Sequence, residues 1–219
     1  MSDKLHEFED EEIRVTWSKT RCIHAAECVR GLPAVFMPGN RPWITPERAA
    51  ADRIAEVVMR CPTGALHFER KDGGPAEPKP AANAVRPEPD GPLYLHGDLE
   101  ILGADGTLLL RDTRVALCRC GQSRNQPFCD NSHREADFAD PGDVFEGGVK
   151  PGTAVPASGP LRVTASADGP LIVDGPVTVR SADGRVALTG GRAALCRCGQ
   201  SRNKPFCDSS HVAAGFKAG

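Results

Sequence analysis

Two stretches of the chain are nearly identical: "CRCGQSRNQPFCDNSH" at 118–133 and "CRCGQSRNKPFCDSSH" at 196–211. The match runs upstream without a gap, each position displaced by 78, so that "GPLYLHGDLEILGADGTLLLRDTRVALCRC" lies over "GPLIVDGPVTVRSADGRVALTGGRAALCRC". Gly97 meets Gly175, Arg114 meets Arg192, and downstream Phe138 meets Phe216. One unit of about fifty residues is used twice, which constrains the fold more than any single motif. Each copy has little apolar surface to bury and is marginal alone. Two copies can share strands and one core around an approximate two-fold axis.

Within each unit the pattern is β. "LYLHGDLEIL" and "LIVDGPVTVR" alternate apolar and polar positions around a glycine, and "ADG" supplies a turn before the next short strand. The cysteine loop follows that strand. Residues 70–90, rich in Pro, Ala and Gly, read as an extended linker, and 141–160 as a loop joining the halves. Residues 1–69 form a different unit. "IRVTW", "RPWIT" and "ALHFER" read as strands. "TPERAAADRIAEVVMR" reads as a helix with Thr45 as N-cap, Pro46 at its first position, and Ile54, Val57 and Val58 as the buried stripe.

The 27 basic residues nearly balance the 29 acidic ones, so no basic footprint for nucleic acid or an anionic membrane is present. The acidic start "MSDKLHEFEDEEIRV" lacks the basic and apolar regions of a signal peptide, and no apolar run is long enough to span a bilayer. These features predict a soluble, cytoplasmic protein. In a reducing compartment nine cysteines are metal ligands before they are disulfides. They fall in three sets: Cys22, Cys28 and Cys61; Cys118, Cys120 and Cys129; Cys196, Cys198 and Cys207. With 40% hydrophobic and only 5% aromatic residues, the cores are thin, and small thin-cored domains use metals.

In each repeat C-x-C-x8-C-x3-H brings three thiolates and an imidazole together: Cys118, Cys120, Cys129 and His133, then Cys196, Cys198, Cys207 and His211. Soft thiolates suit zinc or an iron–sulfur cluster, and imidazole suits either. Zinc sites usually use C-x2-C knuckles. The tighter C-x-C, with the remaining pair on a separate turn, fits two bridged irons that take two ligands each.

The shared framework, C-x-C-x2-S-x3-P-x-C-D-x-S-H, resembles the CDGSH iron–sulfur family, whose best-known members are the mitoNEET proteins. The match covers Ser123, Pro127, Asp130 and Ser132 beside the four ligands, and Ser201, Pro205, Asp208 and Ser210 in the second copy. The resemblance implies a 2Fe-2S cluster held by three Cys and one His, in a β-rich dimer with two clusters. A tandem chain would build that pair internally, as a monomer with pseudo-two-fold symmetry. The family's glycine after Cys-Asp is Asn131 in one copy and Ser209 in the other. If that position is left-handed, Asn tolerates it well and Ser less well.

With one histidine the oxidised cluster carries one fewer negative charge than with four cysteines, so its potential should be higher. A histidine ligand also makes the cluster acid-labile, because a protonated ring leaves the metal. Arg119, Arg124, Arg197 and Arg202 adjoin the ligands; they either offset cluster charge or are solvated. Asp130 and Asp208 can cap a short helix after the third cysteine. His6, His67 and His96 have no ligand-like neighbours.

"RCIHAAECVRG" starts a third site. Bacterial ferredoxins space ligands as C-x2-C-x2-C with a later C-P. Stepping by three from Cys22 meets Ala25 and then Cys28, and Cys61-Pro62 supplies the later ligand. Residues 13–69 resemble the divergent mono-cluster and three-cysteine ferredoxins, which implies a 3Fe-4S cluster or a 4Fe-4S cluster with one corner lacking a cysteine. His24 adjoins the vacancy. The alternative is three structural cysteines.

The fold class expected is α+β: a ferredoxin-like domain (1–69), the linker (70–90), a first repeat (91–140), the joining loop (141–160) and a second repeat (161–219). No phosphate-cradling loop, dinucleotide fingerprint, H-E-x-x-H or G-x-S-x-G element is present. The reading is a non-enzymatic protein that passes single electrons to a redox partner. The alternatives are a cluster donor to an apo-acceptor, a redox or pH sensor, and a zinc-binding interaction module.

Overall fold

A computed structural model of the chain describes residues 4–151 and 159–218, which divide into two compact units, Met1–Pro78 and Lys79–Gly219. In the first unit, β1 (Leu5–Glu9), β2 (Ile13–Ser18) and β3 (Leu66–Arg70) form an antiparallel sheet in the order β1-β2-β3. The turn from β1 to β2 is closed by the Asp10 carboxylate, which accepts the amides of Glu12 and Ile13 at 2.8 Å each. Val15 sits opposite both Phe8 and Phe68, and Ile13, Val15, Leu66 and Phe68 turn one face of the sheet into the core. Two short helices close that core: α1 (Glu27–Gly31) and α2 (Ala51–Val58). Ile54, Val57 and Val58 are fully buried, as their spacing predicts.

Two local expectations fail here. The helix expected from Thr45 is split: Pro46–Arg48 is a 3-10 turn, Ala49 is extended at φ −157° and ψ 159°, and α2 starts only at Ala51. Thr45 makes no side-chain cap bond; it is buried, and its amide donates to Val35. Seating the Pro46 turn beside β1 and β2 outweighs the helix preference of three alanines. "RPWIT" is no strand either, since only Ile44 pairs, in a single bridge to Phe36.

The second unit is a seven-stranded sheet: β4 (Ala84–Pro87), β5 (Leu93–Leu102), β6 (Leu108–Leu117), β7 (Val149–Lys150), β8 (Leu161–Ala165), β9 (Leu171–Arg180) and β10 (Ala187–Leu195). β5–β6 and β9–β10 are the two repeated hairpins. Part of the stretch expected as a linker is β4, the counterpart of β8. Each of these strands pairs antiparallel with its own hairpin and parallel with the other: β4 with β5 and β9, β8 with β9 and β5. The repeats are thus strand-exchanged rather than merely adjacent. The central glycines permit it. A Cβ on Gly97 (φ +158°) would stand 2.2 Å from Asn83 Oδ1, and one on Gly175 (φ +126°) 2.6 Å from the Pro160 carbonyl. Valines and leucines of both repeats, among them Val85, Leu95, Leu117, Val163, Val173 and Leu195, fill one common core.

Candidate metal centres

Each cysteine loop is pinned at both ends to the strand that precedes it. The Cys118 amide donates to Pro127 (2.8 Å) and the Cys129 amide to Ala116 (3.0 Å); in the second copy Cys196 donates to Pro205 (2.7 Å) and Cys207 to Ala194 (2.8 Å). Inside the loop, Ser123 Oγ donates to the Phe128 carbonyl (2.7 Å) and accepts the Asn125 amide (3.0 Å), and Ser201 does the same with Phe206 and Asn203. Asp130 accepts the amides of Arg124 and Ser132 and the Ser132 hydroxyl; Asp208 accepts the same three groups of Arg202 and Ser210. The expected bonds from Asp130 and Asp208 to the Ser132 and Ser210 amides are made, at the start of a 3-10 turn (Ser132–Arg134) and of the one-turn helix α3 (Ser210–Ala213), but the N-cap residues are Asn131 and Ser209, which make no side-chain cap bond. Asn131 (φ 76°) and Ser209 (φ 72°) are both left-handed, the conformation that explains the family's glycine. Their amides donate to the sulfurs of Cys129 and Cys207 at 3.4 Å.

The ligand candidates stand as pairs. Cys118 Sγ and Cys120 Sγ are 3.6 Å apart, and Cys129 Sγ and His133 Nδ1 3.5 Å; the second copy has 3.8 Å and 3.5 Å for the same pairs. Two thiolates on one tetrahedral metal, with bonds of about 2.3 Å, lie about 3.8 Å apart; a thiolate and an imidazole nitrogen lie about 3.5 Å apart. Each pair fits one metal. Among the described residues no three His, Cys, Asp or Glu side chains converge on a single ion position.

Without a metal, burial keeps most thiols of these loops protonated, and Cys118 is the exception. Cys120 donates a hydrogen bond to Cys118, which holds Cys118 down at about 6 and pushes Cys120 up. Burial pushes Cys129 up to about 12 and Cys196 up to about 12, and raises Cys207. Burial, then the charges of Arg134 and Arg119, hold His133 below the ordinary imidazole value, in its neutral, ligating form.

The loops meet. Cys120 and Cys198 form an antiparallel backbone bridge across the pseudo-two-fold axis. A Cβ on Gly121 (φ +82°) would lie 2.6 Å from the Cys198 carbonyl, and one on Gly199 (φ +79°) 2.7 Å from that of Cys120. This contact was not read from the sequence, though a shared "CRCG" carries it. Arg119 and Arg197 are not solvated: they are buried between the ligands, while Arg124 and Arg202 are exposed.

In the first unit Cys22, Cys28 and Cys61, from the ends of β2 and α2 and from α1, line one cavity of about 630 Å³. Ala25 and His24 line it too, with Trp17 and Trp43. Burial, reinforced by the neighbouring Cys61 and Cys22, pushes Cys28 up to about 11. Cys61 Sγ is 3.5 Å from Thr63 Oγ1. His24 (φ 53°) and Ala26 (φ 63°) are left-handed, so the loop turns back on itself to bring Cys22 and Cys28 to the same opening. His67 is away from it and pairs with Glu77 at 2.9 Å. Three thiols at one apolar cavity fit a cluster with three cysteine ligands.

A mostly β chain with three thiol-rich centres is an iron–sulfur protein. Residues 8–71 match the family model described as divergent 4Fe-4S mono-cluster, and residues 90–134 and 168–212 match that described as iron-binding zinc finger CDGSH type. The chain belongs to these families, a divergent mono-cluster domain followed by two CDGSH repeats. Its first domain is similar to the uncharacterized protein YjdI of Escherichia coli strain K12 and to that of strain O157:H7. Each is 33% identical over 64 residues, which cover 29% of this chain and 84% of the relative. No solved structure matches the chain.

Proposed function

We propose that the chain is a non-enzymatic one-electron carrier. It would hold a 2Fe-2S cluster at Cys118, Cys120, Cys129 and His133 and a second at Cys196, Cys198, Cys207 and His211. A 4Fe-4S or 3Fe-4S cluster would sit at Cys22, Cys28 and Cys61, in a domain with a ferredoxin-like fold. Such clusters supply one-electron redox chemistry over a wide span of potentials. The observation that carries this reading is the placement of the two pinned loops. They abut through Cys120 and Cys198, so two centres lie side by side in one rigid, doubly hydrogen-bonded frame. A frame that does not have to reorganise suits a centre that cycles between two charge states. The chain would act as a monomer, with a redox protein as its partner.

One observation favours cluster donation as a second reading. Cys129 and His133 are buried, whereas Cys207 and His211 are half-exposed, which leaves the second centre open to an incoming ligand. Incubation of the loaded protein with an apo-ferredoxin separates the two readings. Carriage predicts fast reduction with the clusters retained. Loss of cluster to the acceptor, from the second repeat first, would instead establish donation.

A further inference from the structure

The two buried arginines occupy equivalent places and differ in one respect. Arg119 donates through Nε to the Gly91 carbonyl (2.8 Å) and through Nη2 to that of Glu88, and its guanidinium lies 5.0 Å over the Phe138 ring. Arg197 donates through Nε to Gly169 (2.9 Å) and through Nη2 to Ser166, and lies 5.3 Å over Phe216. Arg119 Nη1 also donates to the Asp140 carboxylate, whose side chain is 11% exposed. The position equivalent to Asp140 is Ala218. The backbones there are held alike, with the Asp140 amide on Asp90 (2.7 Å) and the Ala218 amide on Asp168 (2.8 Å). Only the carboxylate is missing. Among the described residues no carboxylate is bonded to Arg197; it feels the charge of Asp168 only at longer range, and Asp168 is bonded to Lys217 at 2.7 Å.

We infer that the two CDGSH centres are electrostatically inequivalent, with the second repeat the higher-potential, electron-accepting site and the Arg119–Asp140 ion pair the device that lowers the first. This rests on the reading that both loops hold redox-active clusters. Both guanidiniums are buried, so their charge is poorly screened. Arginine stays charged at any physiological pH. A cation with no bonded carboxylate favours an added electron nearby more than a neutralised one does, since net charge around a cluster sets its potential; Arg197 acts on Cys198 of its own loop and also reaches Cys118. The surroundings act in the same sense. The tail of the first loop is "READFAD" and that of the second is "VAAGFKA", and Gln126 is replaced by Lys204. Counting Arg134, which acts on Cys129 and His133, the first tail is still net negative, whereas the second copy adds Lys204 and Lys217, the latter paired with Asp168.

Iron and acid-labile sulfide are counted first on the full-length protein, followed by a redox titration monitored by visible absorption and electron paramagnetic resonance. The wild type should show two one-electron steps from the repeats with equilibrium constants at least tenfold apart, which is about 59 mV. Asp140→Asn keeps a hydrogen-bond acceptor for Arg119 but removes the charge, and should raise the lower midpoint. Ala218→Asp should lower the upper one. Each variant narrows the gap while iron and sulfide content stay unchanged, a shift that a purely structural role would not produce. A single shared midpoint in the wild type, or full clusters whose midpoints neither variant moves, overturns the inference alone. Zinc without sulfide overturns it together with the cluster reading.

Discussion

His133 and His211 are the residues by which each loop differs from an all-cysteine site. His133 is held below the ordinary imidazole value by burial and by Arg134 and Arg119. The sign follows: the unfolded ring takes a proton first, so the folded loop has this stability in full above 6.5 and loses it as pH falls from there through the lower folded value. Replacing either histidine by cysteine should slow cluster loss at mildly acidic pH and lower that centre's potential, because a thiolate adds negative charge. Absorbance decay across that pH range checks the first and a redox titration the second; unchanged decay in the double variant would mean the histidines are not the labile ligands. Ala25 marks the corresponding residue of the first domain. It lines the thiol cavity where the ferredoxin spacing would place a cysteine. Oxidised wild type should lose the fourth corner and show a 3Fe-4S signal, whereas Ala25→Cys should hold a 4Fe-4S cluster that survives oxidation, at lower potential. A wild type that already resists oxidation points to a hidden fourth ligand, with His24, which lines the same cavity, the first suspect.

The elements that hold these residues were unevenly legible. The hairpins, the cysteine loops, and the burial of Ile54, Val57 and Val58 follow from period and spacing, since each is local. The first strand of each repeat was legible in principle and went unread. "AVRPEPDG" lies over "RVTASADG" at the same displacement of 78, but the prolines mask the alternation around Val85. β1 was hidden differently: none of its residues is fully buried, so "LHEFE" shows charge where a strand shows a core face. Strand exchange changes what a fragment can do. Residues 91–219 lack β4 and leave β5 and β9 with unpaired edges; residues 79–219 keep both. The shorter piece should be destabilised and lose iron, and Val85→Ala in the full chain should cost on the order of 2 kcal/mol, as burial of a valine predicts. Denaturant melts of both pieces and the variant measure this; equal stability of the two fragments would contradict the exchanged topology. Gly121→Ala tests the meeting of the loops. Its Cβ would intrude on the Cys198 carbonyl at a left-handed φ, for at least about 1–2 kcal/mol, and should deplete metal from both repeats although it is no ligand. Depletion confined to the first repeat would mean the loops do not depend on each other.

For the whole molecule, the exchanged strands supply internally what a symmetric pair of chains would otherwise supply to each other. Light scattering should therefore give one chain of 23.3 kDa; a stable dimer whose repeats pair only between chains would count against this. No helix among the described residues is long and apolar enough to cross a membrane. The pairing of Cys118 with Cys120 and of Cys129 with His133, and the Asp130 turn, could be read in advance because they lie within one sixteen-residue loop. The contact of Cys120 with Cys198 and the burial of Arg119 and Arg197 could not, because they arise only when the two halves close on one another. The central claim is that each loop holds a pair of sulfide-bridged irons and the first domain a third cluster. The most direct test counts iron, zinc and acid-labile sulfide on one anaerobically purified sample of the full chain. The account predicts a red-brown protein with about eight sulfides and about seven or eight irons, according to the nuclearity of the third cluster. A chain carrying two zincs, with no sulfide beyond the roughly four of a single cluster in the first domain, would contradict it.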